Sequence, residues 1–197
     1  LLGINLGGVP LGNDRFQLLR MMPVNAGNEF FDNPAYLTFI TDGNGLNPLL
    51  ENPWMVIHPP LLFMGYGSSI FPFALAFGAL VLNEKRYWLK PTLPWLLLSI
   101  GLLGTGLIMG CAWAYQSLTF GGFWAWDPVE NASLVPWLVQ VAALHYLLLS
   151  YKRDKYYLGS FIFVFLGFIT VLYASYLTRS GVLGETSVHA FGDDGRS

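Results

Sequence analysis

The sequence predicts an all-α fold, a polytopic membrane helix bundle of about four transmembrane helices with an external N-terminal segment and a Trp-rich external loop. Three observations carry this. Of 197 residues, 54% are hydrophobic and 11% charged, where an ordinary soluble domain is about a quarter charged. Four runs approach the roughly 20 apolar residues that a hydrocarbon core of about 30 Å requires. The cations are clustered: of ten Lys and Arg, six are Lys85, Arg86, Lys90, Lys152, Arg153 and Lys155, in two short loops.

Residues 1–53 come first, with seven Gly and five Pro and no run able to cross a bilayer. They read as an external, membrane-apposed segment of turns with short helices or strands. The transmembrane core is 54–177. Its first span, 54–82, contains Pro59, Pro60 and Pro72, which predict a kink or an interfacial first turn. The second is 93–115. The third, 134–150, is short and draws on 128–133; the fourth is 157–177. The two basic loops join the first span to the second and the third to the fourth, and the positive-inside rule puts both in the cytoplasm. Residues 1–53, the loop 116–133 and the tail 178–197 are then external. The chain opens LLGINLGGVP and closes DDGRS. No signal peptide is visible, and both ends read as cut from something longer. The single Cys111 leaves no disulfide framework, Cys-pair metal site or Cys-x-x-Cys-His heme attachment, and reads as a small buried thiol. The expected surroundings are lipid bilayer, with no nucleic acid partner.

The stretch 113–137, WAYQSLTFGGFWAWDPVENASLVPW, holds four of the seven tryptophans. Gly121 and Gly122 end any helix continuing from the second span, and an aromatic cluster follows. Asp127 then suits an N-cap, Pro128 the first helical position and Glu130 the third position of a capping box. Interfacial Trp and ordinary capping would explain any one of these features. An aromatic plate between Gly-Gly and a helix cap also fits a flat macrocycle: Phe123, Trp124 and Trp126 can pack on a porphyrin, and the positive helix N-terminus at Asp127 can receive polar groups. Trp113 opens the same stretch. For Asp127 and Glu130, capping ranks first and a polar role toward heme second.

There are three histidines. His58, in IHPP, begins the first span, and His189, in SVHAF, follows the fourth, so topology places both on the side of the Trp loop. They are candidate paired axial ligands to heme iron, or else two interfacial histidines with ordinary hydrogen bonds. His145 lies inside the third span, where a polar side chain is costly. Measured from Leu134 it sits roughly 16 Å deep. It either ligates a second, membrane-buried heme, with the opposite ligand supplied from elsewhere or by a Met, or packs against a neighbouring helix. Arg179, just past the fourth span, can pair with a propionate or anchor the helix end among headgroups.

The segment GGFWAWDPVENASLVPWL resembles the tryptophan-rich "WWD" signature of heme-handling membrane proteins. With NPLLENPWMVIHPPLLFMGY upstream and LTRSGVLGETSVHAF downstream, the chain is similar to the CcmF type of cytochrome c biogenesis protein across 42–191. One departure is Phe120, where the family pattern usually has Trp; it keeps an aromatic surface but removes an indole N–H. The resemblance implies an internal portion of a longer protein of the bacterial inner membrane, with the Trp loop and outer histidines facing the periplasm. It implies His58 and His189 as external heme ligands, and His145 as one ligand of a structural heme b. The partners it implies are the heme chaperone CcmE, apocytochrome c and other cytochrome c maturation membrane proteins. The activity it implies is that of a component of a cytochrome c heme lyase, catalysing mainly by positioning, since the apocytochrome supplies the thiol nucleophiles. The alternatives are a heme transporter or chaperone without ligation activity, and a membrane b-type electron-transfer subunit. The latter requires two stacked histidines within spans, and only His145 lies there.

Overall fold

The computed structural model describes residues 4–6, 9–11, 27, 29, 33, 35, 38, 50–117, 122–153, 155–179 and 182–183. The chain divides into two compact units, Leu1–Leu46 and Asn47–Ser197. In the first, β1 (Ile4–Leu6) pairs antiparallel with β2 (Val9–Leu11), Leu6 opposite Val9. An Asx-type turn also stands there, with Ala35 N–H donating to Asn33 Oδ1 at 2.9 Å.

The second unit is helical: α1 (Pro53–Ser68), α2 (Ile70–Val81), α3 (Leu89–Ser117), α4 (Pro128–Lys152) and α5 (Tyr157–Arg179). With α1 and α2 taken together as 53–81, four spans among the described residues are long and apolar enough to cross a membrane. The break at Ser69 falls one turn before Pro72, whose ring offers no N–H to the Ser68 carbonyl and crowds it. Pro59 and Pro60 instead stay inside α1, so one of the three prolines marks the kink.

Between membrane helices there is little hydrophobic drive, and close approach of backbones through small residues takes its place. The α1–α3 seam shows this. A Cβ on Gly65 would lie 2.9 Å from the Leu103 backbone nitrogen, and one on Gly106 3.0 Å from that of Leu62. Ser99 Oγ donates to the Gly65 carbonyl at 2.8 Å. Gly65–Leu103, Leu62–Gly106, His58–Gly110 and Asn52–Gln116 all follow one antiparallel register, the last closed by Asn52 Nδ2 donating to Gln116 Oε1 at 2.9 Å. Trp137 Nε1–H crosses from α4 to the Ile100 carbonyl of α3 at 3.1 Å, over Gly104. Ser150 and Ser160 share a buried hydrogen bond of 2.8 Å between α4 and α5. The apolar core lies toward the end carrying the basic loops, where Ala76, Trp88, Leu96, Ala143, Leu147 and Val164 are buried together.

Candidate functional site

At the opposite end, α4 begins as its sequence requires. The Asp127 side chain accepts from Val129 N–H at 2.9 Å, and Glu130 Oε2 accepts from Asp127 N–H at 3.2 Å, completing a capping box with Pro128 inside the first turn. The helix therefore opens at Pro128, as the Asp127-Pro128-x-Glu130 pattern predicts. Measured from that end, His145 lies about 26 Å along α4 and about 10 Å from Lys152, at 1.5 Å per residue. It is nearer the basic-loop end than the depth taken from Leu134 suggested.

His58 sits on α1 about 8 Å from the Pro53 end. Its imidazole lies between α3's Gly110, where a Cβ would come within 3.0 Å of Nδ1, and Trp113, stacked at 5.9 Å and 20°. Nδ1 is buried. Trp113 is 5% exposed, with one ring face stacked on the histidine. Beside this pair is a cavity of about 70 Å³ whose walls include His58, Cys111, Trp113, Trp124, Glu130 and Ser133. The Trp124 indole N–H is buried there with no partner among the described residues. Ligand pockets generally run to about 300–1,000 Å³, so this cavity can take water or a small group but not a macrocycle.

The aromatic plate divides into two levels. Trp113 and Trp124 face inward, while Phe123 is 53%, Tyr115 61% and Trp126 71% exposed. Trp124 and Trp126 meet edge to face at 6.2 Å and 84°. Arg179 ends α5 with its guanidinium 5.5 Å from the Phe63 ring centroid, a cation–π contact that ties α5 to α1. His189, and Phe120 and Gly121 of the loop, lie outside the described residues.

His145 is exposed on α4 among exposed Leu138, Leu148 and Leu149. Its Nδ1 is 2.7 Å from the Val141 carbonyl. A carbonyl can only accept, so Nδ1 is the donor in this contact and Nε2 is the ring nitrogen left facing outward from it. The residues that sequence reasoning missed are Gly106 and Gly110, which make room for Leu62 and His58. Their signal was present as Gly106-x-x-x-Gly110, the small-xxx-small spacing of close membrane helices. Asn131 was missed too, with no comparable pattern to mark it.

Comparison with known proteins settles the lineage. The family model described as cytochrome C assembly protein matches residues 30–183. The chain belongs to this family. It is 44% identical over 154 residues to the cytochrome c-type biogenesis protein CcmF of Pseudomonas aeruginosa, covering 78% of this chain and 23% of that protein. It is 41% identical over 169 residues to CcmF of Escherichia coli K12, covering 84% and 26%. The same coverage is reached with cytochrome c-type biogenesis protein NrfE of Haemophilus influenzae, at 39% identity. A solved structure titled cytochrome c heme lyase CcmF superposes with a TM-score of 0.62 at 35% identity, over 80% of this chain and 26% of that one. The chain thus spans about a quarter of the length of the relatives it matches. Four spans and bacterial relatives of this kind make it part of a multi-pass protein of the bacterial inner membrane.

Proposed function

We propose that this chain is the heme-presenting portion of a cytochrome c heme lyase, holding heme at the periplasmic face for thioether attachment to apocytochrome c. The observation that carries the proposal is the placement of His58 between Gly110 and Trp113, at the same end of the bundle as the exposed rings of Phe123 and Trp126. With Nδ1 buried against α3, Nε2 is the ring nitrogen for iron. The family resemblance supplies His189 as the second axial ligand. The neighbouring cavity is far too small for a porphyrin, so the macrocycle lies over Phe123 and Trp126, with Trp124 beneath as support. Asp127 caps α4 and directs its positive N-terminus outward; Arg179 offers a positive charge for a propionate once it leaves Phe63.

Heme is substrate here, delivered by CcmE, and each apocytochrome thiol adds across a vinyl group. A C–S bond forms, the thiol proton passes to the vinyl carbon, and no group leaves. The chain's part is to fix the ring plane and leave the vinyl edge accessible, which is catalysis by positioning. His145 would hold a resident heme b: its Nδ1 faces the Val141 carbonyl and its outward surroundings are apolar, which suits a ligand fixed by its other ring nitrogen. Such a heme would supply one-electron chemistry to keep the substrate iron reduced.

The test is thioether formation by the intact membrane protein with CcmE-bound heme and an apocytochrome carrying Cys-x-x-Cys-His. His58→Ala is expected to abolish the covalent product. Normal product from that variant would refute the assignment, and heme transfer without any thioether product from the wild type would favour a transport role instead.

A further inference from the structure

Trp126 has φ +58°, a left-handed backbone that a bulky side chain rarely adopts and that glycine or asparagine adopts readily. A turn of this kind persists when its surroundings hold it. Two residues of α4's first turn do so. Glu130 Oε2 accepts from the backbone N–H groups on either side of Trp126, Ala125 at 3.1 Å and Asp127 at 3.2 Å. Asn131 Nδ2 donates to the carbonyl of Trp126 itself at 2.9 Å.

Helix capping accounts for the Asp127 bond and for nothing else in this set. A cap has no use for a bond to Ala125, for an amide locked onto the Trp126 carbonyl, or for a tryptophan where glycine would cost less. What the arrangement achieves is exposure: the Trp126 ring is 71% exposed, standing edge-on against Trp124. We propose that Glu130 and Asn131 are positioning residues that hold Trp126 in a strained left-handed turn, so that its indole stands clear of the protein as a stacking face for a planar macrocycle. The inference rests on the heme-presenting role proposed above and adds the residues that build its platform.

The experiment uses the intact protein in detergent, with helical content by circular dichroism as the folding control. Trp126→Asn and Trp126→Gly release the strain and remove the ring, so the thermal midpoint rises while retention of the outer heme falls by up to about tenfold, the scale of one lost aromatic stack. Glu130→Ala and Asn131→Ala keep the ring but free the turn. They are expected to weaken heme retention comparably and to alter the near-ultraviolet dichroism of the Trp124–Trp126 pair. Glu130→Gln keeps an acceptor oxygen and restores both readings. Unchanged heme retention and dichroism in the alanine variants overturn the proposal, as does a Trp126→Asn variant that melts no higher than wild type. A Trp126 emission shift on adding phospholipid vesicles, with heme retention indifferent to all these variants, identifies the ring as a membrane anchor and overturns it as well. Wild-type protein with no His58-dependent heme sinks the underlying role too, which separates the two failures.

Discussion

His58 and His145 differ in how they are held, and the difference assigns them different dependencies. His58 is enclosed by this chain: Gly110 on one side, a stacked Trp113 on the other, within a helix seam whose register is fixed by glycines from Gly65 to Gly110. Among the described residues His145 is tied only to its own helix, through Val141, and faces outward among leucines. A ligand at the first site is presented by α1 and α3. One at the second needs a surface brought from elsewhere in the protein.

The sharpest way to break this comparison is to spoil the seam alone. Gly65→Ala puts a Cβ 2.9 Å from the Leu103 backbone nitrogen, where no rotamer change can relieve it. The expected cost is about 1–3 kcal/mol, with loss of the heme tied to His58 and retention of the one tied to His145. Gly110→Ala does less to stability but presses directly on the imidazole. Gly101, where a Cβ meets nothing within 4 Å, is the control; Gly101→Ala should be neutral or stabilising by up to about 1 kcal/mol. Thermal midpoints and heme spectra of the three variants would decide. Equal loss of both hemes in Gly65→Ala would show the two sites to be one cooperative unit.

An effect confined to stability separates α4's own polar residues. Gln140 is 2% exposed, with neither amide atom partnered among the described residues and Gly167 making room for its Cγ at 3.1 Å. Burying an unsatisfied amide costs about 1–3 kcal/mol, so Gln140→Leu should raise the thermal midpoint without moving the spectrum of either heme. A spectral change would place Gln140 in the His145 site. Of similar size and opposite sign, Trp137→Phe loses the bond to Ile100 and about 1 kcal/mol, readable as a lower midpoint.

The smallest effect lies in the turn between α2 and α3. Glu84 Oε1 accepts from the backbone N–H groups of Arg86 and Tyr87 there, and these bonds hold its carboxyl below the usual range. A depressed folded-state value means stability that is present above the ordinary carboxylate pKa and lost as pH falls through the lowered one. Acid should therefore loosen this turn in wild type, while Glu84→Gln shows no such pH step. Hydrogen exchange at Tyr87 is the readout, and identical pH profiles would contradict it.

Much of this was legible in the sequence, and for physical reasons. Spans follow from composition because lipid tolerates few charges, and the start of α4 followed from Asp127-Pro128-x-Glu130 because capping is local chemistry. What was not legible depends on which residue faces which. That Trp126 turns outward is decided by a positive φ and held by Asn131, while Trp113 turns inward where α3 packs it on His58, and no periodicity reports either. The kink belongs to Pro72 rather than to Pro59 and Pro60, a choice made by packing along the chain. The glycine register was visible as a spacing, yet its partners on α1 emerge only when the helices are placed side by side.

We propose that two histidines of this chain serve two separate hemes, His58 enclosed by the α1–α3 seam and His145 on the outward face of α4. The direct measurement is the reduced-minus-oxidised absorption spectrum of the intact detergent-purified protein, for wild type, His58→Ala and His145→Ala. The account predicts that each substitution removes a different low-spin component and leaves the other in place. A spectrum unchanged by both, or a single component lost equally to either, would contradict it.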